Sequence, residues 1–288
     1  MAVSQPPNLV AVRDVESLRS RIHAWRREGR SVALVPTMGA LHKGHITLMN
    51  RAQQMADHVV ATIFVNPKQF GPREDFAAYP RRESEDFEML GAAGVHLLFA
   101  PDAAVMYPPG FATTVRIAGL TDILDGVQRQ GHFDGVATVV AKLLLQALPD
   151  IALFGEKDYQ QLIIIRRLAA DLNIPVDIIG VPTVREADGL ALSSRNAYLT
   201  AAERAQAPVL HTAISRAAAA IAGGQSIEKC LAAAHDEILK GGFSSVDYVE
   251  AREADTLVPL ESRKDTGRVL AAAHLGRARL IDNVAIPK

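Results

Sequence analysis

The sequence lacks several features that would mark particular classes of protein. It contains one cysteine, Cys230, so no internal disulfide can form and a reducing compartment fits. Its longest stretches without Asp, Glu, Lys or Arg, Met89–Pro101 and Ala103–Val115, are 13 residues each. A bilayer span needs about 20 apolar residues. The 31 Lys and Arg residues nearly balance 32 Asp and Glu residues, for a net charge of -1. We therefore expect no membrane span and no nucleic-acid partner.

The start and the composition of the chain favour an ordinary globular protein. The segment MAVSQPPNLV has no basic stretch leading into a long apolar one, so we expect no signal peptide. Apolar residues make up 49% and charged residues 22% of the 288 residues, which is typical of folded domains and not of disordered chains. We expect a cytoplasmic protein, with Cys230 in an Ala-rich helix and part of the core.

The first part of the chain alternates helical periodicity with short, continuously apolar segments. Strands are predicted over residues 31–35, 58–65, 95–99, 151–154 and 176–181, and helices over 14–29, 44–57, 82–92, 133–148 and 158–172. Pro36 is expected to end the first strand. Strands of this type are buried on both faces of a parallel sheet. We predict an α/β fold with a Rossmann-like, doubly wound parallel sheet.

The pattern changes after Pro182. Ala201–Ala222 and Ile227–Leu239 are predicted to be helical, and three short strands follow over 246–250, 268–273 and 279–281 without helices between them. Helices followed by a run of strands are typical of an α+β domain. We predict a first domain over residues 1–182 and a smaller C-terminal α+β domain over residues 183–288.

The loop after the first strand, Pro36–His45, carries the strongest signal of chemistry. Ligands of open parallel sheets bind beyond the carboxyl ends of the strands, and glycines such as Gly39 allow a close approach there. The loop opens a helix, whose N–H groups suit phosphate. His42 and His45 are spaced so that both rings can point the same way. A helix start with solvated histidines and a zinc pair are the alternatives, although zinc needs three or four ligands.

Three later loops carry weaker signals. The loop Asn66–Gly71 follows the second strand and alone indicates only a turn. Gly155–Gln161 is a glycine turn into a helix, in which Lys157 is either a surface charge or a phosphate ligand. In Asp188–Asn196, hydroxyls and a guanidinium group could close over a triphosphate, and the alternative is an ordinary turn between domains.

Taken together, the loops resemble those of one enzyme family. TMGALHKGH, FVNPKQF, FGEKDYQQL and DGLALSSRN, in this order, and GHFDGVATVVAKLL are similar to the motifs of the pantothenate synthetase (pantoate–β-alanine ligase) family. The first motif alone indicates only the wider nucleotidyltransferase superfamily with its HxGH-like signature. The resemblance implies ATP-dependent condensation of pantoate with β-alanine to pantothenate. It implies a pantoyl-adenylate intermediate and release of AMP and pyrophosphate.

The resemblance also implies roles for individual residues. The catalytic positions would be His45, as the acid, with His42, Lys157 and Arg195. The ATP-binding positions would be Met38, Gly39, Ala40, Leu41, His42, Lys43, Gly44, His45, Gly155, Glu156, Lys157, Asp158, Val184, Leu192, Ser193, Ser194 and Arg195. Pantoate would be bound by Gln69 and Gln161, and β-alanine by Gln69. His132, Asn66 and Tyr79 are further candidates for the same pocket.

The resemblance further implies an ATP- and pantoate-binding first domain, a C-terminal lid that excludes water, and a homodimer. Mg²⁺ would be carried by ATP and pyrophosphate, with no protein metal site, and Lys43 is expected to face solvent. Competing hypotheses are another nucleotidyltransferase, which would not explain the paired glutamines, and a non-catalytic ATP-binding module. An aminoacyl-tRNA synthetase is disfavoured by the balanced charge.

Overall fold

The computed structural model describes residues 9–72, 74, 76–262 and 265–287. Most of the N-terminal segment on which the signal-peptide expectation depends lies outside these ranges. The chain divides into two compact units, one formed by Met1–Glu156 and Ile164–Val181 and the other by Lys157–Ile163 and Pro182–Lys288. The segment Lys157–Ile163, which lies inside the predicted first domain, thus groups with the second unit.

The first unit is built on a parallel sheet. Its strands are β1 Val10–Val12, β2 Val32–Thr37, β3 His58–Ile63, β4 Leu97–Phe99, β5 Ile151–Gly155 and β6 Asp177–Val181. Within the described residues, they form a six-stranded sheet in the order β1-β4-β3-β2-β5-β6. Chain order therefore reverses between β2 and β5, which is where open α/β sheets bind their ligands. The predicted doubly wound sheet is confirmed, and β1 was not predicted.

Helices follow the strands of this sheet along the chain, and the longer ones bury apolar side chains. They are α1 Val15–Arg27, α2 Lys43–Gln53, α3 Glu83–Ala92, α4 Ala103–Met106, α5 Asp125–Gln128, α6 His132–Ala147 and α7 Tyr159–Asp171. In α1 the Asp14 carboxylate accepts a hydrogen bond from the Ser17 N–H as N-cap, and Leu18 and Ile22 are buried. Met49 of α2 and Leu90 of α3 are fully buried against the β2 and β3 side chains.

Pro36 does not end its strand, contrary to the prediction. It pairs with Thr62 of β3, and the strand continues to Thr37. The Thr37 carbonyl accepts from the Phe64 N–H on the β3 side, so the neighbouring Pro36 directs its missing donor toward β5. Pairing of β2 with β5 is confined to Ala33 and Leu34 in the described residues, so the missing donor costs no ladder bond.

The second unit combines helices with an antiparallel sheet. Its helices are α8 Ala201–Gln206, α9 Val209–Ala222 and α10 Ile227–Lys240, and its strands are β7 Ser245–Glu253, β8 Gly267–Leu275 and β9 Ala278–Ala285. The strands pair antiparallel in the order β7-β8-β9, which confirms the predicted α+β arrangement. The helix predicted over 201–222 is two helices, because Pro208 lacks the N–H that would continue it.

The core of the second unit lies between one face of the sheet and the helices α9 and α10. Ile214, Ile238 and Val269 are fully buried there, and Cys230 of α10 is buried as predicted. No helix within the described residues combines the length and the apolar character needed to cross a bilayer.

Candidate active site

The loop that follows β2 carries two histidines that fix each other. His42 is the N-cap of α2, and its Nδ1 accepts a hydrogen bond from the Gly44 N–H at 3.2 Å. The Nδ1 of His45 accepts from the His42 N–H, also at 3.2 Å. The two rings lie with their centroids 4.1 Å apart. Together they form a capping box, in which imidazole nitrogens replace the usual hydroxyl and carboxylate oxygens.

This arrangement determines the tautomer of both rings. A neutral imidazole has one N–H donor and one acceptor nitrogen, and the Nδ1 atoms of His42 and His45 are both used as acceptors. The proton therefore sits on Nε2 in each ring. Two Nε2–H donors at the carboxyl end of β2 suit an anionic ligand such as phosphate. Lys43, between the two histidines, is exposed as predicted.

A buried carboxylate holds the turn before these histidines. Asp86 of α3, only 2% exposed, accepts the N–H of Ala40 at 2.9 Å and of Leu41 at 2.8 Å. Ala40 has a positive φ of 51°, a conformation that costs energy for a residue with a side chain. Gly39 has φ 79°, and a Cβ there would lie 2.9 Å from the Asp86 carboxylate. The Asp86 carboxylate therefore holds the backbone of residues 39–41 in this conformation.

These bonds change how the loop can bind phosphate. We expected backbone N–H groups at the start of α2 to do so, as in other helix N-termini. In the structure the N–H groups of Ala40, Leu41, His42 and Gly44 all donate to acceptors within the first unit. The loop therefore offers a phosphate its imidazole side chains, in contrast to a glycine-rich loop that binds through its backbone.

The turn after β3 orients a glutamine amide. Asn66, 1% exposed, accepts at Oδ1 from the Tyr107 hydroxyl at 2.7 Å and from the Lys68 N–H at 3.2 Å. Its Nδ2 therefore donates, to Gln69 Oε1 at 3.0 Å and to the Gly135 carbonyl at 3.1 Å. Gln69 must then present its Nε2 donors on the other side. Because the Tyr107 hydroxyl donates to Asn66 Oδ1, the Asn66 Nδ2 group faces Gln69 and fixes which end of the Gln69 amide accepts.

Burial supports this orientation. It raises the pKa of Tyr107, so the hydroxyl keeps its proton and remains a donor. Gln69 Nε2 lies 2.9 Å from the Sδ of Met38, which brings these two predicted site residues together. Gly135 allows the turn after β3 to pack closely against α6, because a Cβ at this position would lie 2.2 Å from the Lys68 carbonyl oxygen.

His132 and Arg129 support Gln69 from the other side. The His132 Nδ1 lies 2.8 Å from the Gln69 carbonyl oxygen, and its Nε2 lies 2.9 Å from the Arg129 guanidinium. Arg129 has no acceptor, so Nε2 accepts and Nδ1 donates. Arg129 also forms a two-bond ion pair with Glu74 at 2.8 and 2.6 Å. Burial, reinforced by the Arg129 charge, lowers the pKa of His132 to about 4, so the ring is neutral.

Of the three further candidates, Asn66 and His132 bond Gln69 directly. Tyr79 is buried, and its ring packs edge-on against Phe70, next in the chain to Gln69. The first unit therefore brings Met38, Asn66 and His132 onto Gln69.

The remaining predicted residues lie at the end of β5 and in the second unit. Gly155 ends β5, and Glu156 is the last residue of its segment in the first unit. Lys157 Nζ lies 3.5 Å from the Asp158 carboxylate, with the lysine side chain 19% exposed and the aspartate 48%. Gln161, in the same segment, is partly buried.

The loop from Val184 to Arg195 is a hairpin that ends in a capped turn. The Leu192 N–H donates to the Val184 carbonyl at 3.0 Å, which brings these two predicted residues together. Ser193 is the N-cap of the 3-10 turn Ser194–Tyr198, and its Oγ accepts from the Arg195 N–H at 3.3 Å. The serine pair thus starts the turn that carries Arg195.

Several supporting residues were not predicted from the sequence. They are Asp86, Tyr107, Arg129, Arg185, Arg268, Asp282 and Asn283. Asp86 lies 46 positions from Ala40 along the chain, and Asn283 lies 126 positions from Lys157. No motif spacing joins positions so far apart, and only the fold does so. Within the described residues, no three His, Cys, Asp or Glu side chains are grouped closely enough to hold a metal ion.

Comparison with known proteins identifies the family. The model of the pantoate-beta-alanine ligase family matches residues 10–285. The pantothenate synthetase of Paramagnetospirillum magneticum is 59% identical over 96% of this chain and 97% of its own length. That of Caulobacter vibrioides is 55% identical over 96% and 98%.

Solved structures agree with the sequence relatives. The pantothenate synthetase of Thermus thermophilus is 47% identical and superposes with a TM-score of 0.91, covering 96% of this chain and 99% of that one. The pantoate-beta-alanine ligase of Francisella tularensis, complexed with beta-gamma ATP and beta-alanine, is 33% identical with a TM-score of 0.81, covering 96% and 97%. The chain therefore belongs to the pantoate–β-alanine ligase family and is an amide-forming ligase of pantothenate biosynthesis.

Proposed function

We propose that the protein condenses pantoate with β-alanine in two steps, with Mg²⁺-bound ATP as substrate. In the first step a pantoate carboxylate oxygen bonds to the α-phosphorus of ATP. The bond from that phosphorus to the oxygen it shares with the β-phosphorus breaks. Pyrophosphate leaves and pantoyl adenylate forms. In the second step the β-alanine nitrogen bonds to the acyl carbon and the bond from that carbon to the AMP oxygen breaks. AMP leaves, and the nitrogen loses its proton to solvent.

The observation that carries this proposal is the histidine pair at the reversal of strand order. Phosphoryl-type transfer depends mainly on position and on neutralising oxygens in line, so no nucleophilic side chain is required. Nε2–H donors of His42 and His45 suit the oxygens of departing pyrophosphate, with His45 as the acid. The charges of Lys157 and Arg195 add to this stabilisation. Mg²⁺ is held by the phosphate oxygens, its usual ligands in nucleotide sites.

Gln69 is the residue we assign to both pantoate and β-alanine, together with Gln161 for pantoate. A neutral amide can donate to the pantoate carboxylate without a full counter-charge that would reduce its nucleophilicity. Since Asn66 Nδ2 donates to Gln69 Oε1, the Gln69 Nε2 group is the end that can donate to the anion. The complex of the Francisella tularensis relative with beta-gamma ATP and beta-alanine supports the choice of substrates.

The test is isotope exchange between ATP and pyrophosphate. We expect exchange that requires pantoate but not β-alanine, because the first step is complete without the amine. Adding β-alanine should then yield AMP, pyrophosphate and pantothenate in equal amounts. Absence of exchange, or equal exchange with unrelated carboxylic acids, would contradict the proposal and would fit a nucleotide-binding module or a different transferase.

We also propose that the enzyme is a cytoplasmic homodimer. The lone cysteine and near-neutral charge fit the compartment, and the dimer rests on the family resemblance. Chromatography with light scattering should give twice the mass of one chain. A mass of one chain across micromolar concentrations would contradict the dimer.

A further inference from the structure

The strand β9 reaches the backbone of Lys157 through a buried amide. Asn283 is 3% exposed, and its Nδ2 donates to the Lys157 carbonyl oxygen at 2.9 Å. Its Oδ1 accepts from the guanidinium group of Arg268 on β8. That guanidinium also lies over the Tyr159 ring, 3.9 Å from the centroid. The segment 157–159 is thus held at two points by neighbouring strands of the second unit.

Asp282, the residue before Asn283, binds the hairpin that leads to Arg195. Asp282 is 4% exposed, and its two oxygens accept from the Arg185 guanidinium at 2.6 and 2.9 Å. Arg185 also donates to the Gly189 carbonyl at 3.0 Å, and it pairs with Ala191 across the hairpin that leads to Arg195. The base of that hairpin is therefore tied to β9.

The ion pair at Asp282 is maintained across the working pH range. Burial opposes its ionisation, but hydrogen bonds from His211 and Arg185 outweigh that effect and hold its pKa below the usual range. His211 Nδ1 lies 3.4 Å from the carboxylate. A buried carboxylate that stays charged, with a bidentate arginine, is a rigid support.

We propose that Asp282 and Asn283 are positioning residues, Asn283 for Lys157 and Asp282 for the hairpin that leads to Arg195. Successive residues of a strand point to opposite faces of the sheet. The strand β9 therefore binds the segment 157–159 on one face, through Asn283, and the hairpin on the other, through Asp282. Each cation is then held in place before it meets the triphosphate, which lowers the cost of ordering it in the transition state. This inference rests on the proposed function, in which both cations contact phosphate.

The test begins with Asn283→Asp, which conserves volume and the acceptor for Arg268 but removes the donor to Lys157. We expect the kcat of pantoate-dependent exchange to fall about tenfold, with the KM for pantoate changed less than twofold. The matched control is Asn173→Asp, the same change at an exposed position in the first unit, which should keep the wild-type rate. Thermal unfolding of each variant reports the fold.

Double-mutant cycles separate positioning from a structural role. If Asn283 acts through Lys157, Asn283→Asp should have almost no further effect in a Lys157→Ala background, but its full effect in an Arg195→Ala background. Asp282→Asn should show the reverse pattern. If Asn283→Asp lowers the rate equally in both backgrounds, it acts through general stability and the inference fails. Asn283→Ala replaces Asn283→Asp in the cycle if the aspartate variant does not fold.

Failure of this inference is distinguishable from failure of the proposed function. If the wild-type protein shows no pantoate-dependent exchange, the proposed function itself is wrong. If wild type exchanges and Lys157→Ala exchanges more slowly, but Asn283→Asp retains the full rate, only the positioning inference is overturned. Full activity of Lys157→Ala would overturn it as well, because Asn283 would then have nothing to position.

Discussion

His45 accepts the backbone N–H of His42 through its ring Nδ1, so one imidazole both caps a helix and carries its proton on Nε2. These two roles can be separated with amide side chains. Asparagine places its polar atoms near the Nδ1 position, whereas glutamine places them near Nε2.

His45→Asn should therefore keep the cap and lose the Nε2–H donor. We expect the kcat of exchange to fall about 100-fold or more, as for loss of one transition-state donor, with the melting temperature nearly unchanged. His45→Gln should retain more activity and lose about 1 kcal/mol of unfolding free energy with the cap. Equal kinetics in both variants would show that the Nε2 position does not matter.

Asp86→Asn tests the carboxylate under the histidine loop. The amide can accept from only one of the N–H groups of Ala40 and Leu41, which leaves a buried donor unpaired. We expect a loss of about 2 kcal/mol in unfolding free energy and a several-fold higher KM for ATP. The matched control is Asp57→Asn, since exposed Asp57 also accepts a backbone N–H, that of Ser31. A smaller effect at Asp86 than at Asp57 would contradict the prediction.

Tyr107→Phe tests the orientation of Gln69. The change removes the hydroxyl that donates to Asn66, while the Lys68 N–H still donates there. The Asn66 amide, and with it the Gln69 amide, is therefore held less strongly in its present orientation. We expect the KM for pantoate to rise about three- to tenfold, consistent with the loss of about 1 kcal/mol, and the KM for ATP to stay constant. Tyr248→Phe, on β7, is the matched control. A change in ATP KM alone would assign Tyr107 a different role.

His132 predicts a specific loss of stability in acid. Its folded pKa of about 4 lies below the ordinary value of 6.5, so the unfolded chain takes up the proton first as pH falls. The contribution of the neutral ring is fully present above about pH 6.5 and is lost progressively down to about pH 4. Over that window the loss is on the order of 3 kcal/mol.

His132→Asn removes the titration and can still donate to the Gln69 carbonyl. Urea unfolding of both proteins from pH 7 to pH 4.5 measures the difference in unfolding free energy. We expect this difference to shrink as pH falls, because only the wild-type protein carries the histidine penalty. A difference that stays constant over the window would mean that His132 titrates normally in the folded protein.

The sequence predicted the sheet well because its strands are short, apolar and bounded by helices. Asp14, for example, marks the start of α1 through a local hydrogen bond to Ser17. Pro36 and Pro208 show the limit of local reasoning. The first stays in a strand because β5 is not paired beside it, which depends on a partner from far along the chain. The second divides a helix that the alanine-rich composition made appear continuous.

Motif reasoning named residues that lie close together in the first unit, among them His42 with His45 and Met38 with Gln69. It did not find Asp86 or Tyr107, whose partners are set by tertiary packing. It also expected the N–H groups at the start of α2 to suit phosphate, whereas those of His42 and Gly44 donate to the two imidazole rings. Composition and spacing report which side chains are available, and the fold decides which of their atoms point outward.

Asp282 and Asn283 point to opposite faces of β9. The function of this strand should therefore tolerate many substitutions better than a change in the number of its residues. Its register is set by the tight connection from β8, in which Leu275 pairs with Ala278. Inserting or deleting one residue between Ala278 and Asp282 would exchange the two side chains between the faces of the sheet. An insertion would place the carboxylate at the position that faces Lys157, and a deletion would place the amide at the position that faces Arg185. Evolutionary drift at this strand should therefore proceed by substitution, while single-residue insertions and deletions should be eliminated.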